Sequence, residues 1–150
     1  MVLPDVNLLL YAHNTLDPKH EAARCWWDER LAGPDGIGLA WIVILGFIRL
    51  GTHPRVFTAP FHPEQAVERV AEWLSLPHVK IIHPSDRHFT VLAKLIEHLG
   101  TAGNLTTDAH LAALAIERGL ILQTTDADFA RFPGLKWENP LKAEIGKSES

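Results

Sequence analysis

The segment Thr106–Gln123, TTDAHLAALAIERGLILQ, decides the fold. Between Thr106 and Ile116 its apolar residues recur at the spacing of one helix face, and Gly119 supplies the expected stop. Leu120–Gln123 follows at once and has the short apolar run of a strand buried on both faces. A helix that leads directly into such a strand is the repeating unit of a parallel sheet covered by helices.

The rest of the chain repeats this alternation. Short apolar runs separate longer stretches with helical periodicity, which predicts an α/β fold with a mostly parallel central sheet and helices on both faces. The predicted strands are Val2–Pro4, Ile37–Ala40, Val79–Ile82, Leu120–Gln123 and an edge strand at Leu135–Trp137. The predicted helices are Asn7–His13, Lys19–Leu31, Trp41–Leu50, Pro63–Leu74, Arg87–Leu99 and one that begins at Thr106 or Thr107.

Size and composition predict one packed domain. The chain has 150 residues, of which 47% are hydrophobic and 21% charged, values typical of a folded protein and not of a disordered one. We assign the domain to residues 1–141 and expect the polar residues 142–150 to fray. A single cysteine, Cys25, allows no intramolecular disulfide, which fits a reducing compartment.

Charge and hydropathy narrow the function classes. The N-terminus lacks the basic stretch of a secretory signal, and the uncharged run Gly36–Ile48 is too short to span a membrane. We therefore expect a cytoplasmic protein. The net charge of −4 argues against holding nucleic acid by overall positive charge. A nucleic-acid partner would need a local basic patch or a bound metal.

Carboxylates follow the ends of two predicted strands. Asp5 comes directly after the first strand, and Asp126 follows Leu120–Gln123 after two threonines. Asp108 lies in the first turn of a helix, where it could serve as a cap, and Asp128 could equally be a turn residue. Because open parallel sheets bind ligands beyond the carboxyl ends of their strands, we expect these side chains to meet there.

Such a cluster needs a counterion. Two carboxylates about 4 Å apart repel each other by about 4 kcal/mol at an effective dielectric constant near 20, and no lysine or arginine is adjacent to Asp5, Asp108 or Asp126 in sequence. A hard cation such as Mg²⁺ takes one or two carboxylates and keeps positions for phosphate oxygens. A metal held in this way can activate a water molecule that attacks a phosphodiester, which is the reaction of a nuclease.

Four segments stand in a fixed order along the chain: Asp5-Val6-Asn7, Thr107–Ala115, Thr124–Phe132 and the closing Trp137–Leu141. Together they resemble the PIN domain, and most nearly the VapC-type toxins of bacterial toxin–antitoxin pairs. The resemblance implies an α/β/α sandwich and a Mg²⁺- or Mn²⁺-dependent endoribonuclease, usually a homodimer, that a small antitoxin inhibits by binding along the acidic groove.

The resemblance also assigns roles to individual residues. It implies that three aspartates are catalytic metal ligands, with a fourth as an outer acid; these are Asp5, Asp108, Asp126 and Asp128. It further implies that Asn7 and Thr124 are polar supports beside Asp5 and Asp126.

One position departs from the family pattern Trp-x-x-x-x-Glu-Phe-x-Arg. The matching stretch runs from Trp41 to Arg49, and Gly46 stands where the glutamate is expected. Glycine costs a helix about 1 kcal/mol relative to alanine, so helix stability does not explain it. Either tight packing requires the glycine or the site has lost an acid, in which case metal binding and activity are impaired.

Two alternatives remain beside the active nuclease. The first is an inactive PIN-fold protein that binds antitoxin and RNA. The second is an unrelated acidic-pocket protein, but the phosphatase pattern needs an aspartate where Asn7 stands. Arg49 and Arg55 flank a loop and could either meet phosphate or face the antitoxin. His110 should point away from Asp108, about 200° round the helix, and is expected to be structural.

Overall fold

The computed structural model describes residues 1–57 and 59–141, and a parallel sheet lies at its centre. The strands described are β1 (Val2–Pro4), β2 (Ile37–Ala40), β3 (Val79–Ile82), β4 (Ile121–Gln123) and β5 (Trp137–Glu138). They are ordered β3-β2-β1-β4-β5, and each neighbouring pair is parallel. The predicted α/β fold is therefore confirmed. The last strand begins two residues later and ends one residue later than the predicted edge strand, because Trp137 and Glu138 are the residues that pair with Leu122 and Gln123.

Helices connect the strands in two groups. They are α1 (Val6–His13), α2 (His20–Ala32), α3 (Trp41–Gly51), α4 (Pro63–Leu74), α5 (His88–Leu99) and α6 (Thr106–Arg118). The chain moves one way along the sheet from β1 to β3 and then crosses back to β4. Right-handed crossovers therefore put α1–α4 on one face and α5–α6 on the other, and the helices pack together in the same two groups.

The central strands are buried and in register at their carboxyl ends. Every residue of β1 and β2 is buried, as expected for the middle of a sheet covered on both faces. Pro4 pairs with Gln123, so β1 and β4 end at the same level. The Asp5 amide then donates to the Gln123 carbonyl at 2.8 Å, which brings the residue after β1 beside the residue after β4.

An aromatic cluster holds α1 through α4 together. The rings of Phe47 and Trp73 lie 4.9 Å apart, and those of Trp27 and Trp73 lie 5.3 Å apart. His13 joins them from the last turn of α1, 5.2 Å from Phe47. Pairs of this kind contribute about 0.5–1.5 kcal/mol beyond the apolar area that they bury. The cluster therefore fixes α1, and with it the start of that helix at Asp5.

The ends of α5 and α6 are set by glycines, as predicted. Gly100 and Gly119 adopt left-handed backbone conformations, with φ of 69° and 66°, which a residue without Cβ adopts at little cost. The Leu120 amide then donates to the Ala115 carbonyl at 2.8 Å and turns the chain into β4. Among the described residues, no helix has the length and apolarity needed to cross a membrane. The predicted fraying of residues 142–150 concerns a segment outside the described residues.

Candidate functional site

Asp5 is held in place by its neighbours at the junction of β1 and α1. Its side chain caps α1, with Oδ1 accepting from the Val6 amide at 2.7 Å. Its Oδ2 accepts from the Thr124 hydroxyl at 2.9 Å. Only 8% of the residue is exposed, and this burial raises the pKa of its carboxyl while both hydrogen bonds oppose the rise. These two hydrogen bonds hold the Asp5 side chain in one rotamer.

The turn after β4 brings the next two aspartates to the same end of the sheet. The Asp126 amide donates to the Thr124 hydroxyl oxygen at 3.0 Å, so this threonine connects Asp5 to the turn. Asp126 in turn accepts from the Asp128 amide at 2.9 Å and caps the short helix Ala127–Arg131. Asp128 is exposed, in keeping with the turn role considered for it, and lies 3.9 Å from the Arg131 guanidinium.

Asp108 approaches the group from α6. It lies in the first turn of that helix and, with Asp5, lines a cavity of about 420 Å³. Partial burial is the main reason that the pKa of Asp108 rises to about 6. The negative charges of Asp5, Asp126 and Asp128 raise it further. The fold therefore brings Asp5, Asp126 and Asp128 within electrostatic range of Asp108.

The other two predicted positions behave differently. Asn7 is half-buried on α1, and within the part of the chain that the structure describes its side chain makes no hydrogen bond. Gly46 is buried on α3 and lines the same cavity as Asp5. A Cβ at position 46 would lie 3.2 Å from Cγ2 of Val6, so α3 packs closely on the start of α1. A larger side chain requires Val6 to move by a few tenths of an ångström.

The donor set suits a hard divalent cation that keeps part of its water shell. Across residues 1–57 and 59–141, no group of three or more His, Cys, Asp or Glu side chains is arranged so that it could hold a metal ion. Asp5 and Asp108 nevertheless present carboxylates to one cavity. Mg²⁺ is commonly bound through one or two carboxylates, with water and phosphate completing its coordination. The residues present fit such an ion.

A second cavity, of about 440 Å³, lies between α2 and the β4–β5 edge. Its buried polar group, Gln123, is already satisfied: its Oε1 accepts from Trp26 Nε1 at 3.0 Å and its Nε2 donates to Glu138 at 2.7 Å. The lining lacks the aspartates discussed above. This cavity is slightly larger, but it is the first cavity that is lined by Asp5 and Asp108.

A buried polar chain that sequence reasoning missed joins α5 to α6. Glu117, whose side chain is fully buried, accepts from the Ser85 amide at 2.8 Å and lies 3.0 Å from His88 Nδ1. His88 Nε2 lies 2.9 Å from Nδ1 of His110. This contact supports the structural role expected of His110. Nothing in the local sequence signals it, because the two histidines are 22 residues apart.

Comparisons with known proteins place this geometry in context. The family described as the PIN domain matches residues 2–135. Ribonuclease VapC37 of Mycobacterium tuberculosis is 41% identical over 140 residues, which cover 93% of this chain and 97% of that protein. Ribonuclease VapC33 of the same species is 44% identical over 142 residues, covering 95% and 99%.

A solved structure shares the fold at low sequence identity. It is VapBC2 from Rickettsia felis bound to a DNA fragment from their promoter, with a TM-score of 0.63 and 21% identity. The match covers 93% of this chain and 98% of the chain in that structure.

Proposed function

Because this chain belongs to the PIN-domain family and matches its VapC ribonucleases, we propose that it is a metal-dependent endoribonuclease toxin. It hydrolyses RNA phosphodiesters, and a cognate antitoxin protein neutralises it. The curated relatives support the ribonuclease activity, and the Rickettsia felis VapBC2 structure supports a protein partner. The catalytic domain is residues 1–141, and the protein acts in the cytoplasm as a homodimer. Single-stranded loops are the preferred substrates, because their backbone is accessible.

The observation that carries this proposal is the meeting of Asp5 and Asp108 on one cavity. Asp126 and Asp128 add negative charge nearby without lining it. No ion pair with a lysine or arginine neutralises Asp5, Asp108 or Asp126 among the described residues. Uncompensated carboxylates at the end of a parallel sheet are costly unless a cation binds them.

In this proposal Asp5 and Asp108 would bind Mg²⁺ or Mn²⁺ directly, Asp126 would bind it through one of its waters, and Asp128 would lie at the periphery. When bound, the ion would act as a Lewis acid, activating a water molecule and offsetting negative charge on the phosphate. Thr124 positions the site by holding Asp5 through its hydroxyl and the Asp126 amide through its oxygen. Asp5 presents an oriented carboxylate, since both of its oxygens are already hydrogen-bonded in a defined direction.

In this proposal the glycine at position 46 lowers the metal-dependent cleavage of RNA. We infer that the missing acid leaves metal binding weaker than in a site with a carboxylate at this position. The second candidate function, an inactive PIN-fold protein that binds antitoxin and RNA, is favoured by the absence of a carboxylate at position 46. The close packing of Gly46 on Val6 supports a structural reason for the glycine instead.

The test combines metal binding with RNA cleavage on the same protein. Calorimetric titration with Mn²⁺ and cleavage of total RNA are measured for the wild type, Asp5→Asn and Asp108→Asn. We expect binding by the wild type, and loss of both binding and cleavage in the two variants. Asp86→Asn is the matched control, because Asp86 is exposed and its side chain makes no hydrogen bond or ion pair in the described part of the chain.

Two outcomes would contradict the proposal. Undiminished cleavage by either active-site variant would exclude the assigned mechanism. Antitoxin binding without any Mn²⁺ binding or cleavage would favour the inactive alternative. Light scattering on the purified protein tests the homodimer, and a monomeric mass at all concentrations would exclude it.

A further inference from the structure

One cation, Arg49, lines the cavity that contains Asp5 and Asp108. It lies in the last turn of α3 and is exposed. Its side chain makes no hydrogen bond or ion pair with any described residue, although two carboxylates line the same cavity. A guanidinium in this position is available for a ligand.

The position of Arg49 follows from the pitch of α3. Ile42, Gly46 and Arg49 are separated by four and three residues, so they share one face of the helix. This face borders the cavity opposite the start of α1 and the first turns of α6. The rest of the cavity lining is mostly apolar; it includes Val6, Ile42, Leu45, Leu50 and Leu111.

The charged residues that line the cavity come from different elements. Asp5 lies at the end of β1 and Asp108 at the start of α6, whereas Arg49 lies at the end of α3. If Arg49 served to neutralise the aspartates, it would be within ion-pair distance of one of them, and it is not among the ion pairs of the described residues. A bound polyanion can contact both ends, through a cation at the carboxylates and directly at the guanidinium.

We propose that Arg49 binds a backbone phosphate of the RNA strand, next to the phosphodiester that lies at the aspartates. This inference rests on the proposed function and adds a substrate-binding residue to it. The planar guanidinium donates two parallel hydrogen bonds to one phosphate, a geometry that lysine cannot reproduce. Arg49 thus helps to place the strand across the cavity and contributes to affinity more than to the chemical step.

Arg55 provides a matched comparison. Like Arg49 it is exposed, and its side chain is free of ion pairs and hydrogen bonds among the described residues. It lies in the loop after α3, where its amide donates to His53 Nδ1 at 3.1 Å, and it does not line the cavity. The sequence suggested both arginines as phosphate contacts, and of the two it is Arg49 that lines the cavity.

The test measures the salt dependence of RNA binding. A fluorescein-labelled oligouridylate is titrated by anisotropy, in EDTA so that it remains intact, at several KCl concentrations. The slope of log K against log[salt] is negative, and loss of one phosphate contact on a single strand makes it shallower by about 0.7. We expect Arg49→Gln to show this change and about tenfold weaker binding, as for one lost charged hydrogen-bonding contact. Arg49→Lys should keep the slope but bind less tightly than the wild type.

Cleavage kinetics with Mn²⁺ separate this inference from the proposed function. We expect Arg49→Gln to raise KM with kcat nearly unchanged, and Arg55→Gln to match the wild type in slope and KM. Suppose that the wild type cleaves RNA and that Arg49→Gln has the same salt dependence of RNA binding and the same KM. The proposed phosphate contact of Arg49 is then wrong, and the proposed nuclease function is retained. Equal effects of Arg49→Gln and Arg55→Gln would indicate general attraction and also overturn it. A wild type that neither binds nor cleaves RNA overturns both proposals.

Discussion

Asp108→Asn should stabilise the metal-free protein, because the folded state holds this carboxylate among like charges. Its pKa rises from the ordinary 3.8 to about 6 in the fold. The ionised form is therefore disfavoured in the folded state, and stability falls as the pH rises from 3.8 through 6. At 1.36 kcal/mol per pKa unit the cost above pH 6 is at most about 3 kcal/mol.

Solvent screening reduces that figure because Asp108 is partly exposed. We take about 1 kcal/mol as the net cost, which corresponds to a Tm about 2–4 °C higher for Asp108→Asn at pH 7.5 in EDTA. Below pH 3.8 the wild-type carboxyl is protonated in both states, so the advantage of the variant should disappear.

Adding Mn²⁺ should reverse the order of stability. A ligand at one hundred times its Kd stabilises the folded state by about 2.7 kcal/mol, and the wild type should gain this while Asp108→Asn gains much less. Differential scanning fluorimetry in EDTA and in Mn²⁺ provides the measurement, with Asp86→Asn as the control that should follow the wild type in both. A variant less stable than the wild type in EDTA, or a Mn²⁺ response equal to that of the wild type, would refute the reasoning.

Three other variants test separate parts of the structure. Gly46→Glu should increase metal-dependent RNA cleavage despite its contact with Val6, and no gain at saturating Mn²⁺ would contradict the idea of a missing acid. Glu117→Gln should lower the free energy of unfolding in urea by about 1–3 kcal/mol, because the variant weakens buried hydrogen bonds to a charged group; a change within error would show that the chain through His88 is dispensable. Burial lowers the pKa of His13, so the unfolded state takes up its proton first and stability should fall as the pH drops below 6.5. His13→Phe should reduce this pH dependence, measured by urea unfolding, and an identical pH profile in both proteins would contradict the assignment.

The order of helices and strands was predictable because the signals are local. Apolar periodicity in Thr106–Ile116, the stop at Gly119 and the apolar run that follows require no knowledge of distant residues. The same holds for Asp5, which directly follows β1, and for Asp126, which follows β4 after two threonines; both therefore had to lie at the carboxyl edge of a parallel sheet. The family resemblance, drawn from motifs that are also short and ordered along the chain, is confirmed by the match to the PIN domain.

Other features depend on contacts between residues far apart in sequence. Thr124 donates to Asp5 across 119 positions, and only the pairing of β1 with β4 brings them together. The expected support from Asn7 is not seen as a hydrogen bond within residues 1–57 and 59–141, where Thr124 and the Val6 amide donate to Asp5 instead.

The sequence by itself determined the α/β alternation and the acids that follow its strands, since backbone propensity and side-chain periodicity act over a few residues. Tertiary structure alone decided that Gly46 packs on Val6 and that Arg49 rather than Arg55 borders the acidic cavity. These outcomes depend on the rotation and position of α3 relative to α1 and α6. Side-chain packing between the helices determines that arrangement, and the sequence periodicity of a single helix does not reveal it.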